Sequence, residues 1–181
     1  LGVMGENIAK NFADNEISVQ AFNSSREKLK RIQNNITIGL FNGYTNIDEM
    51  VASLDVPRRI LIMVPAGEAT TKVVDELSDK LSDGDWIIDG GNSHYKDSEK
   101  NGNLLHKKGI NFAGLGISGG EEGARYGPAL MLGSISNKVS EITNEFLDKI
   151  SAVDSEKNIC FKIYKGYGAG HFVKMVHNGI E

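Results

Sequence analysis

Short apolar runs alternate with longer segments of helical period along almost the whole chain. The run Ile60-Leu61-Ile62-Met63-Val64 contains no polar residue, which is typical of a strand covered on both faces. Strands that alternate with helices pair in parallel, because each helix returns the chain across the sheet before the next strand begins. The alternation therefore predicts a parallel sheet with helices on its faces.

The same pattern gives approximate bounds for each helix and strand. Strands are predicted at 18–22, 59–64, 86–89, 110–113, 129–132 and 159–164, with one weaker strand in the turn-rich segment 39–45. Helices are predicted at 5–15, 25–34, 47–54, 68–81, 94–108, 137–150 and 171–181. A glycine-rich joint at 165–170 precedes the last helix.

The overall composition argues against two classes of partner. The net charge is −4 and the calculated pI is about 5.6, so a large nucleic-acid surface is not expected. No stretch approaches the roughly 20 apolar residues that a membrane span needs. With 181 residues and 40% hydrophobic content, the chain can bury one core of ordinary size.

The chain contains a single cysteine, Cys160. One cysteine excludes an internal disulfide and a cysteine-based zinc site, and it fits a reducing compartment such as the cytoplasm. Cys160 lies in an apolar run, which favours a buried strand residue over a nucleophile.

Two glycines, Gly2 and Gly5, stand directly before the first helical pattern. They match the second and third glycines of G-x-G-x-x-G, so the first glycine and the first strand would precede Leu1. In that motif Gly2 lets the backbone approach a pyrophosphate and Gly5 lets the helix pack closely. An ordinary turn is the alternative. Because the chain also ends inside a helical pattern, we expect it to be truncated at both ends.

The second strand leads into Asn23, Ser24, Ser25 and Arg26, about twenty residues after the glycines. An NAD site usually has an acidic residue here for the ribose hydroxyls. An amide, two hydroxyls and an arginine can instead donate to a 2′-phosphate, which favours NADP. Ser24 or Ser25 could also cap the next helix, and both interpretations can hold together.

Two further glycine-rich segments follow predicted strands. In the segment 89–93, Asn92 could bond a sugar hydroxyl or a nicotinamide amide, or Asn92 or Ser93 could cap the next helix. The segment 117–128 carries four glycines, two glutamates and Arg125. Its backbone, from Ser118 onwards, suits closure on the carboxylate of a polyhydroxy acid. A connection with solvated or paired charges is the alternative.

The last predicted helix places four polar side chains on one face: Lys174, His177, Asn178 and Glu181. A hydroxyacid dehydrogenase needs such a set. A base takes the alcohol proton as hydride leaves, and after loss of CO₂ an acid protonates the enol. A solvated polar face is the alternative. Gly179 inside the helix costs about 1 kcal/mol relative to Ala, which favours close approach of a ligand or a second helix.

Together these segments closely resemble the 6-phosphogluconate dehydrogenase family. The matching stretches are LGVMGENI at 1–8, IIDGGNS at 87–93, ISGGEEGARYGP at 117–128 and GAGHFVKMVHNGIE at 168–181. The resemblance implies a Rossmann-like, doubly wound, mostly parallel α/β domain at 1–167 that lacks its first strand. It implies that 168–181 begin a helix leading into an all-helical domain that dimerises.

The resemblance also implies a reaction and its residues. The reaction is oxidative decarboxylation of 6-phosphogluconate to ribulose 5-phosphate and CO₂ with reduction of NADP, in the pentose phosphate pathway and without a metal. The implied base is Lys174 and the implied acid is Glu181. Substrate contacts fall on Asn92, Ser118, Gly119, Gly120, His177 and Asn178. Cofactor contacts fall on Gly2, Met4, Gly5, Asn23, Ser24, Ser25, Arg26, Val64, Ala66 and Asn92.

The sequence departs from the family at three places. Ser24 replaces the usual arginine of Asn-Arg-Thr, and Pro65 replaces a usual lysine, so two cations near the cofactor are absent. The segment 131–134 reads Met-Leu-Gly-Ser where Met-Pro-Gly-Gly is typical. Two alternatives remain: a related β-hydroxyacid dehydrogenase for a small unphosphorylated acid, and a dinucleotide-binding module without catalysis. We expect these 181 residues alone to be inactive.

Overall fold

A computed structural model describes residues 1–36 and 39–180 of the chain, apart from the Glu145 side chain. The predicted acid, Glu181, lies outside the described residues. The strands are β1 (Val19–Phe22), β2 (Phe41–Tyr44), β3 (Arg59–Ile62), β4 (Trp86–Asp89), β5 (Asn111–Ser118), β6 (Ala129–Ser134) and β7 (Phe161–Lys165). The helices are α1 (Val3–Asp14), α2 (Arg26–Asn34), α3 (Ile47–Ala52), α4 (Glu68–Ser78), α5 (Tyr95–His106), α6 (Gly120–Tyr126), α7 (Ser140–Ile142), α8 (Asp148–Ile150) and α9 (Ala169–Ile180), with a π-helical segment at Thr143–Leu147.

The described strands form two sheets. β1 and β2 pair in parallel, and the other five strands follow the order β3-β4-β5-β6-β7. Every pair in the larger sheet is parallel except β5 with β6. The predicted α/β fold with a mostly parallel sheet is therefore confirmed.

Alternate residues of the larger sheet build two cores on its opposite faces. One face carries Trp86, Ala113 and Leu132 against α1, α6 and the segment 140–150. The other face carries Ile87 and Phe112 against α3, α4 and α5. Helices on both faces follow from the continuous apolar runs, because a strand that buries both sides needs cover on both.

Two elements differ from the predicted bounds in ways that matter for the site. β5 continues to Ser118, five residues past its predicted end, and the glycine-rich segment after it folds into helix α6, where no helix was predicted. Glu121 and Glu122 in the first turn of α6 and Arg125 in its last suit the helix dipole. Arg125 pairs with Asp14 of α1, so tertiary contact also holds this short helix.

The predicted helix at 137–150 is interrupted by the π-helical segment. Ile142 and Leu147 are both buried, and they lie five residues apart. A π turn brings residues five apart onto one side, whereas an α-helix would turn one of them away from the core. The interruption therefore follows from burial of both side chains.

The prediction that Cys160 is a buried strand residue was wrong. Cys160 is half-buried and precedes β7, which begins at Phe161. Its N–H donates to the carbonyl of Ala152 at 2.7 Å, so it is held by the segment before the strand.

Within 1–36 and 39–180, no helix combines the length and apolar character needed to cross a bilayer.

Candidate functional site

Three helices that begin at the carboxyl edge of the sheets have no side-chain cap. The N-terminal residues before α1, α4 and α6 are Gly2, Gly67 and Gly119, and none supplies a capping oxygen. By contrast, α2, α3 and α5 are capped by the side chains of Ser25, Asn46 and His94. Uncapped first turns present free N–H groups, which favour anionic ligands.

The turn before α1 leaves room for a ligand at its first glycine and packs closely at its second. A Cβ on Gly2 would meet no atom within 4 Å. A Cβ on Gly5 would lie 3.1 Å from both Leu1 Cδ2 and Met63 Cβ. Met4, between them, is half-buried against the core. The geometry fits a pyrophosphate at Gly2 with the helix packed tightly at Gly5.

Asn23 connects this turn to the next loop. Its Nδ2 donates to the Leu1 carbonyl at 3.1 Å, and its Oδ1 accepts from the Ser25 N–H at 2.8 Å. The Ser25 hydroxyl accepts from the Lys28 N–H at 3.3 Å, as the capping interpretation predicted. Ser24 and Arg26 are exposed beside them. Asn23 and Ser25 thus shape the loop, while Ser24 and Arg26 face the solvent.

The loop after β3 provides another predicted cofactor contact. Val64 is half-buried against the core and Ala66 is exposed. The Thr70 hydroxyl donates to the Pro65 carbonyl at 3.0 Å, which ties this loop to the first turn of α4. Gly67 has a φ of 88°, a value that glycine adopts without the penalty of a Cβ.

The loop after β4 is shaped by Asp89. Its Oδ1 accepts from the Gly91 N–H at 3.0 Å, and a Cβ on Gly90 would lie 2.8 Å from Met63 Sδ. Asn92 is exposed at the tip of this loop, so its amide can reach a ligand. The alternative interpretation, in which Asn92 or Ser93 caps α5, was wrong, because His94 Nδ1 accepts from the Lys96 N–H.

Lys174 meets Ser118 at the same edge. Lys174 Nζ donates to Ser118 Oγ at 2.9 Å, and both are shielded, Ser118 being buried and Lys174 half-buried. After Ser118, Gly119 and Gly120 have positive φ values of 118° and 60°, which turn the chain into α6. The structure therefore brings together a lysine and a hydroxyl that are 56 residues apart.

The remaining residues of the predicted helix face continue along α9. His177 is half-buried and Asn178 is exposed, one turn beyond Lys174. A Cβ on Gly179 would meet no described atom within 4 Å, so no described element explains that glycine.

Sequence reasoning missed His171. This histidine is 3% exposed and its Nδ1 lies 2.7 Å from Ser98 Oγ. Burial holds its pKa below the ordinary 6.5, although nearby Asp89 acts in the opposite direction. Its place three residues before Lys174 was the only signal in the sequence.

In the described part of the chain, no group of three or more His, Cys, Asp and Glu side chains could hold a metal ion.

Comparisons with known proteins point to one family. The sequence profile of the NAD binding domain of 6-phosphogluconate dehydrogenase matches residues 1–166. The decarboxylating 6-phosphogluconate dehydrogenases of Klebsiella pneumoniae and of Escherichia coli K12 are each 42% identical over 181 residues. The alignment covers all of this chain and 38% of each relative. The chain thus spans about two fifths of the length of the curated relatives it matches.

Solved structures agree with the sequence comparison. Plasmodium falciparum 6-phosphogluconate dehydrogenase, solved in its apo form, with its cofactor NADP⁺ and with its substrate 6-phosphogluconate, superposes with a TM-score of 0.92 at 32% identity. It is covered over 38% of its length, and this chain over 99%. A 3-hydroxyisobutyrate dehydrogenase of Mycobacterium tuberculosis gives a TM-score of 0.82 at 20% identity, over 99% of this chain and 57% of that one. That second likeness shows the fold alone.

Proposed function

We propose that this chain, which belongs to the family of the NAD binding domain of 6-phosphogluconate dehydrogenase, is part of an NADP-dependent decarboxylating dehydrogenase. The reaction is oxidation of 6-phospho-D-gluconate to D-ribulose 5-phosphate and CO₂ with formation of NADPH. The observation that carries the proposal is the contact between Lys174 Nζ and Ser118 Oγ. This contact lies at the edge of the sheet where the uncapped helices begin, which supports Lys174 as the base.

The residues around α1 fit a dinucleotide. The free N–H groups of the first turn and the open space at Gly2 suit a pyrophosphate. Ser24 and Arg26 would face the 2′-phosphate, while Val64, Ala66 and Asn92 would line the path of the nicotinamide. When bound, the cofactor accepts hydride from the substrate.

Lys174 is proposed as the base that takes the proton of the substrate hydroxyl at Nζ. Ser118 holds Nζ from one side, so the lysine has a defined position rather than the range of a free side chain. The backbone of Gly119 and Gly120 lies next to Ser118 and suits the substrate carboxylate. His177 and Asn178, one turn along α9, are proposed as further substrate contacts.

Glu181 is proposed as the acid that protonates the enol after CO₂ leaves. The proposal depends on the sequence, since Glu181 is seven residues after Lys174 and residues seven apart share a helix face. The two steps need a base and an acid within reach of the substrate, and the spacing of Lys174 and Glu181 in the sequence would provide both.

The wider setting of the chain is also a proposal. Several large apolar side chains of α9 are exposed, namely Phe172, Met175, Val176 and Ile180. This supports residues 168–181 as the start of a helix that an all-helical domain covers, after a dinucleotide-binding domain at 1–167.

In the sheet, a preceding strand would fit between β1 and β3 and join the two sheets in the order of a doubly wound fold. We further propose a homodimer, a cytoplasmic location and a role in the pentose phosphate pathway and gluconate use.

The test is the initial rate of the full-length protein on 6-phosphogluconate, with NADP and NAD compared and released CO₂ collected. Lys174→Met is expected to lower kcat by at least about 10³-fold, since general acid–base catalysis contributes roughly that much. Lys100→Met removes an exposed lysine on α5 and serves as the matched control, with wild-type rates.

Each result has a definite meaning. NADP-preferring turnover with one CO₂ per NADPH supports the proposal. NAD-preferring turnover keeps the reaction and overturns the cofactor assignment. Turnover only of a small unphosphorylated hydroxyacid would transfer the function to that related class of dehydrogenase.

A further inference from the structure

Three buried polar side chains lie beneath the loop that ends β4. Asp89 at the end of β4 and Ser98 on α5 have no solvent exposure, and His171 in the first turn of α9 is 3% exposed. We call these three residues the buried polar cluster. They come from three elements that carry the site: the strand before Asn92, the helix after it, and the helix with Lys174.

The register of the sheet directs Asp89 towards His171. Asp89 pairs with Gly114 of β5, and paired residues of neighbouring strands face the same side. A Cβ on Gly114 would lie 3.0 Å from His171 Nδ1, so that side is the one that α9 covers. The carboxylate and the imidazole therefore lie on the same face of the sheet.

The hydrogen bonds within the cluster leave one carboxylate oxygen and one ring nitrogen without a partner among the described residues. Asp89 Oδ1 accepts from the Gly91 N–H, and His171 Nδ1 pairs with Ser98 Oγ. Asp89 Oδ2 and His171 Nε2 are buried and have no hydrogen-bond partner among the described residues. When the Ser98 hydroxyl donates to Nδ1, a neutral imidazole carries its proton on Nε2. Because neither atom has a hydrogen-bond partner, Asp89 acts on the ring through its charge and not through a hydrogen bond.

The burial of His171 supports the neutral ring. Removal from water holds its pKa below the ordinary value, so at pH 7 the ring carries one proton. The charge of Asp89 and the nearby backbone of Asp89, Gly91 and Leu115 act in the opposite direction and raise the pKa, but burial is the largest effect. All of these lie at the loop between β4 and α5 or on the adjacent strand β5.

We propose that His171 is a positioning residue which, through Ser98 and Asp89, fixes the start of α9 against the loop that carries Asn92. The inference rests on the proposed function for the role of Lys174. Lys174 follows His171 by three residues on the same helix face, directly over Gly116. A tilt of α9 about its first turn therefore moves Nζ relative to Asn92.

The first test is kinetic and uses the full-length protein. In His171→Gln, kcat is expected to fall about 20-fold while the KM for substrate and for cofactor changes less than about threefold, because geometry and not binding is disturbed. Asp89→Asn, which keeps an oxygen for the Gly91 N–H but loses the charge, is expected to act in the same direction. Two controls accompany them. His106→Gln changes an exposed histidine, and Leu77→Ala lowers thermal stability from a buried position on α4.

The second test does not depend on the substrate. Deuterium uptake in segments 89–93 and 171–175 is expected to rise together in His171→Gln and not in Leu77→Ala, because the cluster joins these two segments. If the wild-type protein does not turn over 6-phosphogluconate, the proposed function fails, and hydrogen exchange alone decides the positioning role.

Three outcomes overturn the inference. The first is a kcat of His171→Gln within twofold of wild type. The second is an equal loss of kcat in Leu77→Ala, which would trace the effect to general destabilisation. The third is a rise of deuterium uptake in only one of the two segments, which would show that the cluster does not couple them.

Discussion

Gly116 on β5 sets how closely α9 approaches the sheet. A Cβ at this position would lie 2.6 Å from Lys174 Cβ and 2.9 Å from the Gly170 carbonyl oxygen. The φ of Gly116 lies outside the left-handed region, so Gly116→Ala tests packing alone. Both opposing atoms belong to the helix or to the base of a side chain, and neither can rotate away. The helix itself must therefore move.

The size of the movement follows from the contact distance. Ordinary van der Waals contact begins at 3.4 Å, so the helix must withdraw from 2.6 Å by about 0.8 Å near Lys174. Overpacking of this kind costs roughly 1–3 kcal/mol of unfolding free energy. A displacement approaching 1 Å at a catalytic group costs up to about 100-fold in rate, so we expect kcat to fall about 30-fold.

The assay compares Gly116→Ala with Gly43→Ala in the full-length protein, by kcat and by thermal unfolding. A Cβ on Gly43 would lie 2.9 Å from Leu29 Cβ, which overpacks β2 against α2 and leaves α9 untouched. Both variants should lose stability, and only Gly116→Ala should lose kcat. A Gly116→Ala enzyme with the kcat of Gly43→Ala would refute the reasoning, since it would show that the position of α9 does not limit the rate.

Three further predictions follow from other parts of the structure. Asp85 is 1% exposed and accepts from Arg58 Nη1 at 3.0 Å and from the Ser82 N–H at 2.9 Å. Asp85→Ala should therefore lower the unfolding free energy by about 3 kcal/mol in a denaturant titration, and an unchanged midpoint would contradict this. Because the pKa of His171 is lowered in the folded state, its contribution to stability is present above pH 6.5 and is lost as the pH falls below it. The gap in Tm between wild type and His171→Gln should narrow from pH 8 to pH 5, and a constant gap would argue against a buried neutral ring. Ser24→Arg should raise the ratio of kcat/KM for NADP over NAD about tenfold, since a guanidinium pairs well with phosphate, and no change would place the 2′-phosphate elsewhere.

The order of helices and strands could be predicted from local patterns. Trp86–Asp89 has its predicted bounds, and the other strands and long helices begin within a few residues of theirs. The residue types alone suggested Ser24 or Ser25 as the cap of α2, and Ser25 is the residue that caps it. These features depend on neighbours in the chain, so the sequence already contains the interactions that produce them.

Helix α6 and the antiparallel pairing of β5 with β6 were not predicted. α6 spans only Gly120–Tyr126, and a segment this rich in glycine has little helical propensity of its own. It is held by contacts with α1, including Arg125 with Asp14 and Asn11 Nδ2 with the Ala124 carbonyl. Those partners are more than a hundred residues away, so no local window of sequence contains them.

Local patterns in the chain set the alternation of helices and strands and put Lys174, His177 and Asn178 on one helix face. Periodicity and spacing settle such features because they act over a few residues. Only packing between distant elements brings Lys174 to Ser118, brings Ser98 and Asp89 near His171, and lets α9 lie on the glycines at 114, 116 and 133. These contacts join residues 36 to 82 positions apart, and packing, not local propensity, determines which of them form.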